Sequence, residues 1–271
     1  MKKNSLLFVL LAFIYGCQDV IEVEVPTDAP RLVIDAIVRM DNLDQTTTIV
    51  TVKASETSSF FEEISPAQLT AISLVNIEAN LSFVLTQEVA GSGIYKAEVP
   101  TIRLTQGQLR LSIDYNEQSY VAETTFVPTV PIDTLQQGTT TLFTGNETEI
   151  ILSFTDAPDR TDFYLFDFDF NQYLVSEDTF YPGQSFRFSY FYDQDLKPQM
   201  ELDISLIGVN EQLYNYMNQV IVQSGGDQGP FQTPSATVKG NIVNLTDSEN
   251  FALGFFAICQ TYTETLEIVE N

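Results

Sequence analysis

The stretch LRLSIDYNEQSYVAETTF, residues 109–126, decides the fold of this chain. In its first half, apolar residues occupy every second position, namely Leu109, Leu111, Ile113 and Tyr115. Successive side chains of a β-strand point to opposite faces of a sheet, so these four residues share one face. The alternation stops at Asn116 and Glu117 and resumes up to Phe126. The stretch therefore predicts a half-buried β-hairpin with its turn at residues 116–117.

The same period of two residues recurs along the chain from Arg31 onward, and turn residues interrupt it at intervals of about 8 to 12 positions. Further examples are Leu81, Phe83 and Leu85; Ile150, Leu152 and Phe154; and Leu202, Ile204 and Leu206. Each apolar face needs a second sheet to cover it. The pattern therefore predicts a mainly β chain, built as a sandwich or a barrel.

The clearest break in composition lies near residue 128. Pro128 and Pro131 cannot donate to a strand ladder, and the Gly-Thr-containing stretch 136–140 packs poorly. We therefore expect two domains. The first is an immunoglobulin-like β-sandwich over residues 31–127, without the cysteine pair of that fold, and the second is a β-rich domain over residues 128–271.

One short amphipathic helix is predicted in the second domain, near residues 211–223. Leu213, Tyr216, Met217 and Val220 follow the i, i+3, i+4, i+7 spacing of a single helix face. Ser224-Gly225-Gly226 then ends the helix. In a β protein such a helix more often covers an open end of a sheet than forms a ligand site, and we favour packing.

The N-terminus has the pattern of a secretory signal. Lys2 and Lys3 precede an apolar run, residues 6–14. That run is too short to cross roughly 30 Å of membrane hydrocarbon, which needs about 20 residues. The chain is therefore expected to be exported, with residues 1–16 as the signal peptide.

The end of this signal suggests a lipid anchor. Ile14-Tyr15-Gly16-Cys17 resembles a bacterial lipobox, in which the cysteine sulfur is lipidated and becomes the first residue of the mature chain. Residues 17–30 then form a lipidated tether or a first edge strand. Two or more acyl chains hold a protein on a membrane without a spanning segment. The alternative is an ordinary signal cleaved elsewhere, with Cys17 as a chance thiol.

The charge balance is strongly acidic. The chain has 12 basic and 37 acidic residues, and removal of Lys2 and Lys3 with the signal leaves 10 against 37, a net charge of −27. A nucleic acid backbone needs clustered Lys and Arg, so nucleic acid is excluded as a partner. Binding to anionic lipid headgroups is disfavoured for the same reason. Proteins, neutral glycans and cations remain as partners.

The residue types restrict the possible chemistry. The chain has no histidine, so a Ser-His-Asp or Cys-His nucleophile cannot be built. Zinc usually requires His or several Cys, whereas Cys259 is the only cysteine besides Cys17. No cofactor and no metal are therefore predicted. Hydrolysis by a pair of carboxylates is the one catalytic reading left open.

Two aromatic stretches are the strongest candidates for a site. In residues 161–170, a strand would place Asp167 and Asp169 on one face, where they could bind Ca²⁺ or act as an acid/base pair. We favour the alternative, a solvated face above an aromatic core. The second stretch, residues 180–192, could expose Tyr181, Tyr190 and Tyr192 as a platform for neutral sugars, although core is the default for about half of its aromatic residues.

Both ends of the mature chain resemble one family. The opening is Cys17-Gln18-Asp19-Val20-Ile21-Glu22-Val23-Glu24-Val25-Pro26, followed by Pro30-Arg31-Leu32-Val33-Ile34-Asp35-Ala36. The close is Gly229-Pro230-Phe231-Gln232-Thr233-Pro234, then Gly240-Asn241-Ile242, then Ala252-Leu253-Gly254-Phe255-Phe256-Ala257. In this order they resemble the Bacteroidota lipoproteins grouped as domain of unknown function 4249. The resemblance implies an outer-membrane lipoprotein, commonly encoded beside TonB-dependent transporters, with no established activity.

The expected function is therefore that of a non-enzymatic accessory or assembly partner of a TonB-dependent transporter or another outer-membrane complex. The outer face of the membrane is favoured, since such lipoproteins often reach the cell surface when acidic residues follow the lipidated cysteine, as Asp19, Glu22 and Glu24 do here. A glycan- or cation-binding lipoprotein is the alternative, and a carboxylate-based hydrolase ranks third.

The contact with a partner is expected in the second domain. Pro230, Phe231 and Pro234 follow the helix in a Gly-rich segment, where a large apolar side chain has no periodic core position. Phe255 and Phe256 are adjacent, so on a strand they point to opposite faces and one of them needs a second apolar surface. The alternative is that the domain buries all of these side chains itself.

Overall fold

The computed structural model describes residues 29–59, 63–142, 145–192, 196–224 and 236–270, apart from the side chain of Phe180. The signal peptide, Cys17 and most of the tether lie outside these residues. Pro230, Phe231 and Pro234 also lie outside them. The predictions of lipidation and of a partner contact at these three residues therefore concern parts of the chain that the structure does not describe.

The described residues are mainly β, as the sequence predicts, with sixteen strands and two α-helices. The strands of the first half are β1 Leu32–Met40, β2 Thr47–Glu56, β3 Ala71–Asn76, β4 Leu81–Val84, β5 Thr86–Gln87, β6 Ile94–Pro100, β7 Gln108–Tyr115 and β8 Gln118–Val127, with helix α1 Thr101–Thr105 between β6 and β7. The second half contains β9 Ile132–Gln137, β10 Thr148–Thr155, β11 Phe163–Asp167, β12 Tyr173–Glu177, β13 Ser185–Tyr192, β14 Glu201–Val209, α2 Glu211–Gln223, β15 Val243–Asn244 and β16 Leu253–Glu267. In this described part, no helix has the length and apolar character needed to span a membrane.

The first core lies inside a sheet that curls into a near-barrel, with the strand order β4-β3-β7-β8-β16-β1-β2-β6-β5. The hairpin predicted from residues 109–126 is confirmed, because β7 and β8 pair in antiparallel register from Gln108–Thr125 to Tyr115–Gln118. Its turn residues have positive φ, 48° at Asn116 and 61° at Glu117. Leu109, Leu111 and Ile113 are buried in the core, as the alternation predicts.

Strand β16 joins the two halves of the chain. Its first part pairs in parallel with β1, from Val33–Leu253 to Met40–Gln260, and it touches the end of β8 at residues 258 and 259. Its second part pairs with β14 in antiparallel register, from Ile207–Thr261 to Glu201–Glu267. The strand therefore pairs with strands on both sides of the boundary that the sequence predicts at residue 128. The core of residues 31–127 is not closed without residues from the C-terminal end.

The second core lies between a three-stranded sheet, ordered β13-β10-β9, and the strands β12, β11, β14 and β16. Large aromatic side chains fill it, and Phe154, Tyr164, Phe166, Phe168 and Tyr192 are all fully buried. Tyr164 and Phe166 of β11, together with Phe168, point into this core. The interpretation of residues 161–170 as one aromatic face in a core is therefore confirmed.

Helix α2 packs on the outer face of β11, β14 and β16. It spans residues 211–223, as predicted, and the Asn210 side chain caps it by accepting a hydrogen bond from the Leu213 amide at 2.8 Å. Leu213 and Met217 are buried against Leu165, Ile207, Val209, Phe255, Ala257 and Cys259. The helix therefore covers a sheet face, where a sheet end was predicted, and creates a third apolar cluster.

Candidate functional site

The helix-side groove is the space between α2 and the outer faces of β1 and β16. Its volume is about 440 Å³, within the range of small-ligand and peptide pockets. The groove is lined by Val33, Ile34, Asp35, Ile37, Arg39, Leu165, Tyr173, Tyr216, Met217, Val220, Gly254 and Phe255. Its walls are mostly apolar, and its charged residues all come from one strand, β1.

Strand β1 supplies both a core face and the floor of the groove. Leu32, Ile34, Ala36, Val38 and Met40 point into the first core, so the intervening residues of the strand point outward. These outward residues are Val33, Asp35, Ile37 and Arg39. In an ordinary β-sandwich such a face is fully solvated, but here α2 lies beside it and encloses it on one side.

Gly254 of β16 allows the close approach of β16 to β1 beneath the groove. It lies opposite Ile34 in the parallel pair of β1 and β16, and its φ is +97°. A Cβ atom at this position would lie 1.9 Å from the carbonyl oxygen of Ile34. No side chain fits there, so only glycine permits both this backbone conformation and this packing.

An ion pair closes one end of the groove. The Arg39 Nη1 atom donates to Asp167 Oδ2 at 2.7 Å. Tyr173 lies beside this pair. Burial raises the pKa of its hydroxyl, the negative charge of Asp167 raises this pKa further, and the positive charge of Arg39 lowers it. The hydroxyl is therefore a neutral hydrogen-bond donor at physiological pH.

Asp35 gives the rim of the groove a negative charge. Asp35 is exposed, and the four ion pairs of the described residues do not include it. Burial raises the pKa of Tyr216, and the charge of Asp35 raises it further. Since Arg39 is already paired with Asp167, the net charge of the groove is negative.

The groove has the features of a binding surface. Apolar walls with a few polar groups at the rim bind a partner side chain or a small ligand. In the described part of the chain, no three of His, Cys, Asp or Glu lie together as metal ligands would. The chemistry that the groove itself presents is apolar contact, tyrosine hydroxyl donors and one carboxylate without a partner.

Phe255 and Phe256 are placed on opposite faces of β16, as their adjacency predicts. Phe255 is 2% exposed and contacts Tyr216 of α2, with ring centroids 5.1 Å apart. Phe256 is fully buried in the first core. The second apolar surface that this pair requires is thus supplied by the chain itself. This corrects the expectation that one of the two side chains faces a partner.

Asp167 and Asp169 do not form a carboxylate pair. Strand β11 ends at Asp167, and Asp169, Phe170 and Asn171 all have positive φ, 63°, 48° and 59°. In this left-handed turn the Asp169 amide donates to Asp167 Oδ1 at 3.1 Å, so the two residues are joined by a turn and do not alternate along one strand. Asp169 Oδ1 accepts from the Phe170 amide at 2.7 Å, while Asp167 is paired with Arg39. The Asp167 carboxylate is thus held by Arg39, and the Asp169 carboxylate is held by its own turn.

The aromatic residues at 180–192 do not form an exposed platform. Tyr181 is 8% exposed and Tyr192 is fully buried. Tyr190 stacks on Phe168 at 3.9 Å, and its hydroxyl donates to Gln172 Oε1 at 2.5 Å. The tyrosines considered for sugar stacking thus pack in or against the second core, and they do not form an exposed row on one face.

A buried acidic network was not predicted from the sequence. Asp156, Asp162 and Asp178 are each less than 10% exposed. The Tyr164 hydroxyl donates to both Asp156 and Asp162, and burial, together with these two carboxylates, raises its pKa. Arg160 Nε donates to both oxygens of Asp162, at 2.6 and 2.7 Å.

Each carboxylate of this network also accepts a hydrogen bond from a backbone amide or a basic side chain. The Gly183 amide donates to Asp156, and the Asp162 amide donates to Asp178. A fully hydrogen-bonded network of this kind ties loops together. By itself, the sequence Asp156-Ala157-Pro158-Asp159 indicates only a turn. The basic residue Arg160, placed within an acidic loop, was the signal that could have indicated an internal ion pair.

Comparison with protein families gives one match. The family model described as Domain of unknown function (DUF4249) matches residues 18–265. No curated protein matches the chain.

Three solved structures show weak similarity. One is a DUF4785 family protein from Legionella pneumophila, at 8% identity and a TM-score of 0.24, with 65% of this chain and 52% of that chain covered. Another is a 1.5-MDa bacterial ice-binding adhesin, at 11% identity and a TM-score of 0.21, with 89% and 64% covered. The third is the Fcho1 Mu homology domain of Danio rerio with a bound Eps15 peptide, at 10% identity and a TM-score of 0.18, with 86% and 92% covered. The chain thus spans about half the length of the Legionella protein.

Proposed function

This chain belongs to the family described as Domain of unknown function (DUF4249), and we propose that it acts as a lipid-anchored outer-membrane protein with a non-enzymatic role. It is held on the membrane, with the outer face favoured, by acyl chains on Cys17. There it is an accessory or assembly partner of a TonB-dependent transporter or another outer-membrane protein. We further propose that the near-barrel around the first core is a variant of the immunoglobulin-like sandwich, to which β16 adds a strand.

The helix-side groove is the observation that carries the binding role. It is preformed, because its floor is a strand of the first core and its wall is a capped helix. Preformed apolar grooves bind with little loss of conformational entropy. In a chain with a net charge of −25, the unpaired carboxylate of Asp35 favours a partner segment with apolar side chains and a nearby Lys or Arg.

The anchor is tested by a Cys17→Ala variant. Without the acylated cysteine, we expect the protein to move from the membrane fraction to the soluble fraction, since acyl chains are the attachment that we propose. Fractionation followed by immunoblotting measures this. If the variant stays in the membrane after carbonate washing, lipid is not the sole attachment.

The groove is tested by a Val220→Glu variant in a pull-down with gentle detergent. Val220 is half-buried in the groove wall, so a charge there would lose its hydration when an apolar segment binds. We expect recovery of the outer-membrane partner to fall at least about ten-fold, which corresponds to about 1.4 kcal/mol. Asn218→Glu is the matched control, because it adds the same charge at an exposed position of the same helix outside the groove.

Equal recovery of the partner with both variants would show that the groove is not the contact. A Phe231→Ala variant in the same assay tests the predicted contact that lies outside the described residues. Deletion of residues 31–127 is unsuitable as a comparison, because these residues share a core with β16 and their removal would expose Phe256 and Ile258.

A further inference from the structure

Strand β13 is a long sheet edge of the described fold. Its eight residues pair with β10 in continuous antiparallel register, from Thr148–Tyr192 to Thr155–Ser185. In the described part of the chain, no strand pairs with its other side. An edge of this kind presents a row of free backbone donors and acceptors, and it can pair with another strand.

The other edges of the fold carry the usual protection. Strands β5 and β15 have two residues each, β4 has four and β12 has five. Strand β9 is interrupted by a register shift in its pairing with β10. At its last residue, the Gln137 side chain accepts from the Val269 amide at 2.9 Å and donates to the Val269 carbonyl oxygen at 3.1 Å. These edges are too short or too irregular to accept a new strand.

Strand β13 has none of these devices. Its sequence, SFRFSYFY, has no proline, glycine, lysine or acidic residue, and Arg187 is its only charge. In a chain with 37 acidic residues, an eight-residue edge without one is a local exception. Long-range repulsion between two acidic copies is screened beyond about 8 Å at physiological salt, so the charge at the edge decides whether they can meet.

The side chains of β13 are incompletely covered. Phe186, Phe188 and Tyr190 point towards the second core but are only half-buried. Arg187 and Ser189 lie on the opposite face and are exposed. The Ser189 hydroxyl donates to Oε1 of the buried Glu149 on β10 at 2.5 Å. An additional strand beside β13 would cover the aromatic row and satisfy the backbone edge at the same time.

We propose that β13 pairs with β13 of a second copy of this chain, in antiparallel register about Ser189. The two three-stranded sheets then form one six-stranded sheet across a two-fold axis. In this register Phe188 lies opposite Tyr190 of the second copy, which gives aromatic cross-strand pairs. Arg187 lies opposite Phe191 of the second copy, a cation–π arrangement.

This register also separates the like charges. The two copies of Arg187 are four residues apart along the strands, about 14 Å at roughly 3.4 Å per residue. That distance exceeds the screening length, so they do not repel strongly. The inference stands independently of the proposed function, because it needs neither the lipid nor the helix-side groove.

The first test is the mass of the Cys17→Ala protein, which carries no lipid, by analytical ultracentrifugation over about 1 to 100 µM, a range that detects micromolar dissociation constants. We expect a concentration-dependent dimer of two 30.4 kDa chains. A monomer throughout this range overturns the proposal, and an extended strand of a different protein is then the remaining occupant of the edge.

The second test is specific for the register. In the Cys17→Ala background, Ser189→Cys places two thiols directly opposite each other, where the Cα atoms of paired strands are about 4.5 to 5.5 Å apart, close enough for a disulfide. Ser185→Cys is the matched control on the same face of the same strand. Its two copies would be eight residues apart, about 27 Å.

Under mild oxidation, we expect a covalent dimer with Ser189→Cys and none with Ser185→Cys. The remaining cysteine, Cys259, is fully buried and does not compete in the folded protein. A dimer that fails to form the 189–189 disulfide, or one that cross-links equally well through residue 185, contradicts the proposed pairing. Either result would assign the association to another surface or another register.

Discussion

Truncation of the two adjacent phenylalanines of β16 would decide whether they are internal or face a partner. Phe256 is fully buried in the first core, and Phe255 is 2% exposed under α2. A phenylalanine buries about 150 to 250 Å², and truncation to alanine removes on the order of 100 Å² of it. At about 25 to 30 cal/mol per Å² this costs about 3 kcal/mol, to which the remaining cavity adds. We expect each variant to lower the free energy of unfolding by about 3 to 5 kcal/mol.

Urea unfolding followed by far-ultraviolet circular dichroism measures this loss, and Phe255→Ala should differ from Phe256→Ala in one respect. Phe255 supports Tyr216 of α2, so its truncation should also weaken the binding of a partner in the helix-side groove. Leu245→Ala is the control, because Leu245 is 65% exposed and its truncation should change the free energy of unfolding by less than about 0.5 kcal/mol. A loss below about 1 kcal/mol for Phe256→Ala would refute its placement in the first core.

Three further predictions concern single positions. Gly254→Ala should prevent soluble expression or lower the melting temperature by more than about 10 °C, because its Cβ would lie 1.9 Å from the Ile34 carbonyl oxygen at a φ of +97°; an unchanged melting curve would contradict the close approach of β1 and β16. Asn210→Ala should cost about 1 kcal/mol in urea unfolding through loss of the helix cap, and Asn210→Gly less; equal losses would argue against a side-chain cap. Burial raises the pKa of the Cys259 thiol from 9.0 to about 12, so its contribution to stability is present below pH 9 and is lost as the pH rises towards 12. Between these values the free energy of unfolding should fall more for the natural chain than for Cys259→Ala, and a thiol reagent at pH 8 should label Cys259 only in urea.

Local patterns in the sequence were sufficient to predict the hairpin, the helix and the aromatic core. In each case the deciding residues lie within a single element: the alternation at 109–126, the spacing from Leu213 to Val220, and the aromatic face of β11. Periodicity states which side chains share a face, and burial then follows from their apolar character. The cap at Asn210 completes the helix with the residue type that its position favours.

The sequence could not predict which strands pair across the chain. Val33 pairs with Leu253, and no local pattern connects residues so far apart. The helix-side groove was missed for the same reason, since its walls come from β1, β11, β12, β16 and α2. Arg39 and Asp167, the ion pair at its end, are 128 positions apart.

The early end of strand β11 is the second difference between the predicted and the observed fold, and it has a local cause. Period-two alternation continues through Asp169 and Phe170, yet the strand stops at Asp167. Asp and Asn adopt left-handed conformations more readily than other residues with side chains, and Asp169 and Asn171, on either side of Phe170, turn the chain there. The pattern predicted a strand, and the turn chemistry of Asp169 and Asn171 overrode it.

The position of β16 in the chain has a consequence for biosynthesis. Both cores require this strand, and it is synthesised after every other strand of the described fold. At about 5 to 20 residues per second, β1 waits on the order of tens of seconds for its parallel neighbour. During that time the chain keeps unpaired edges and stays open, which is compatible with the export before folding that the predicted signal peptide would require. A product that terminates before residue 253 would complete neither core, so we expect proteases to remove it.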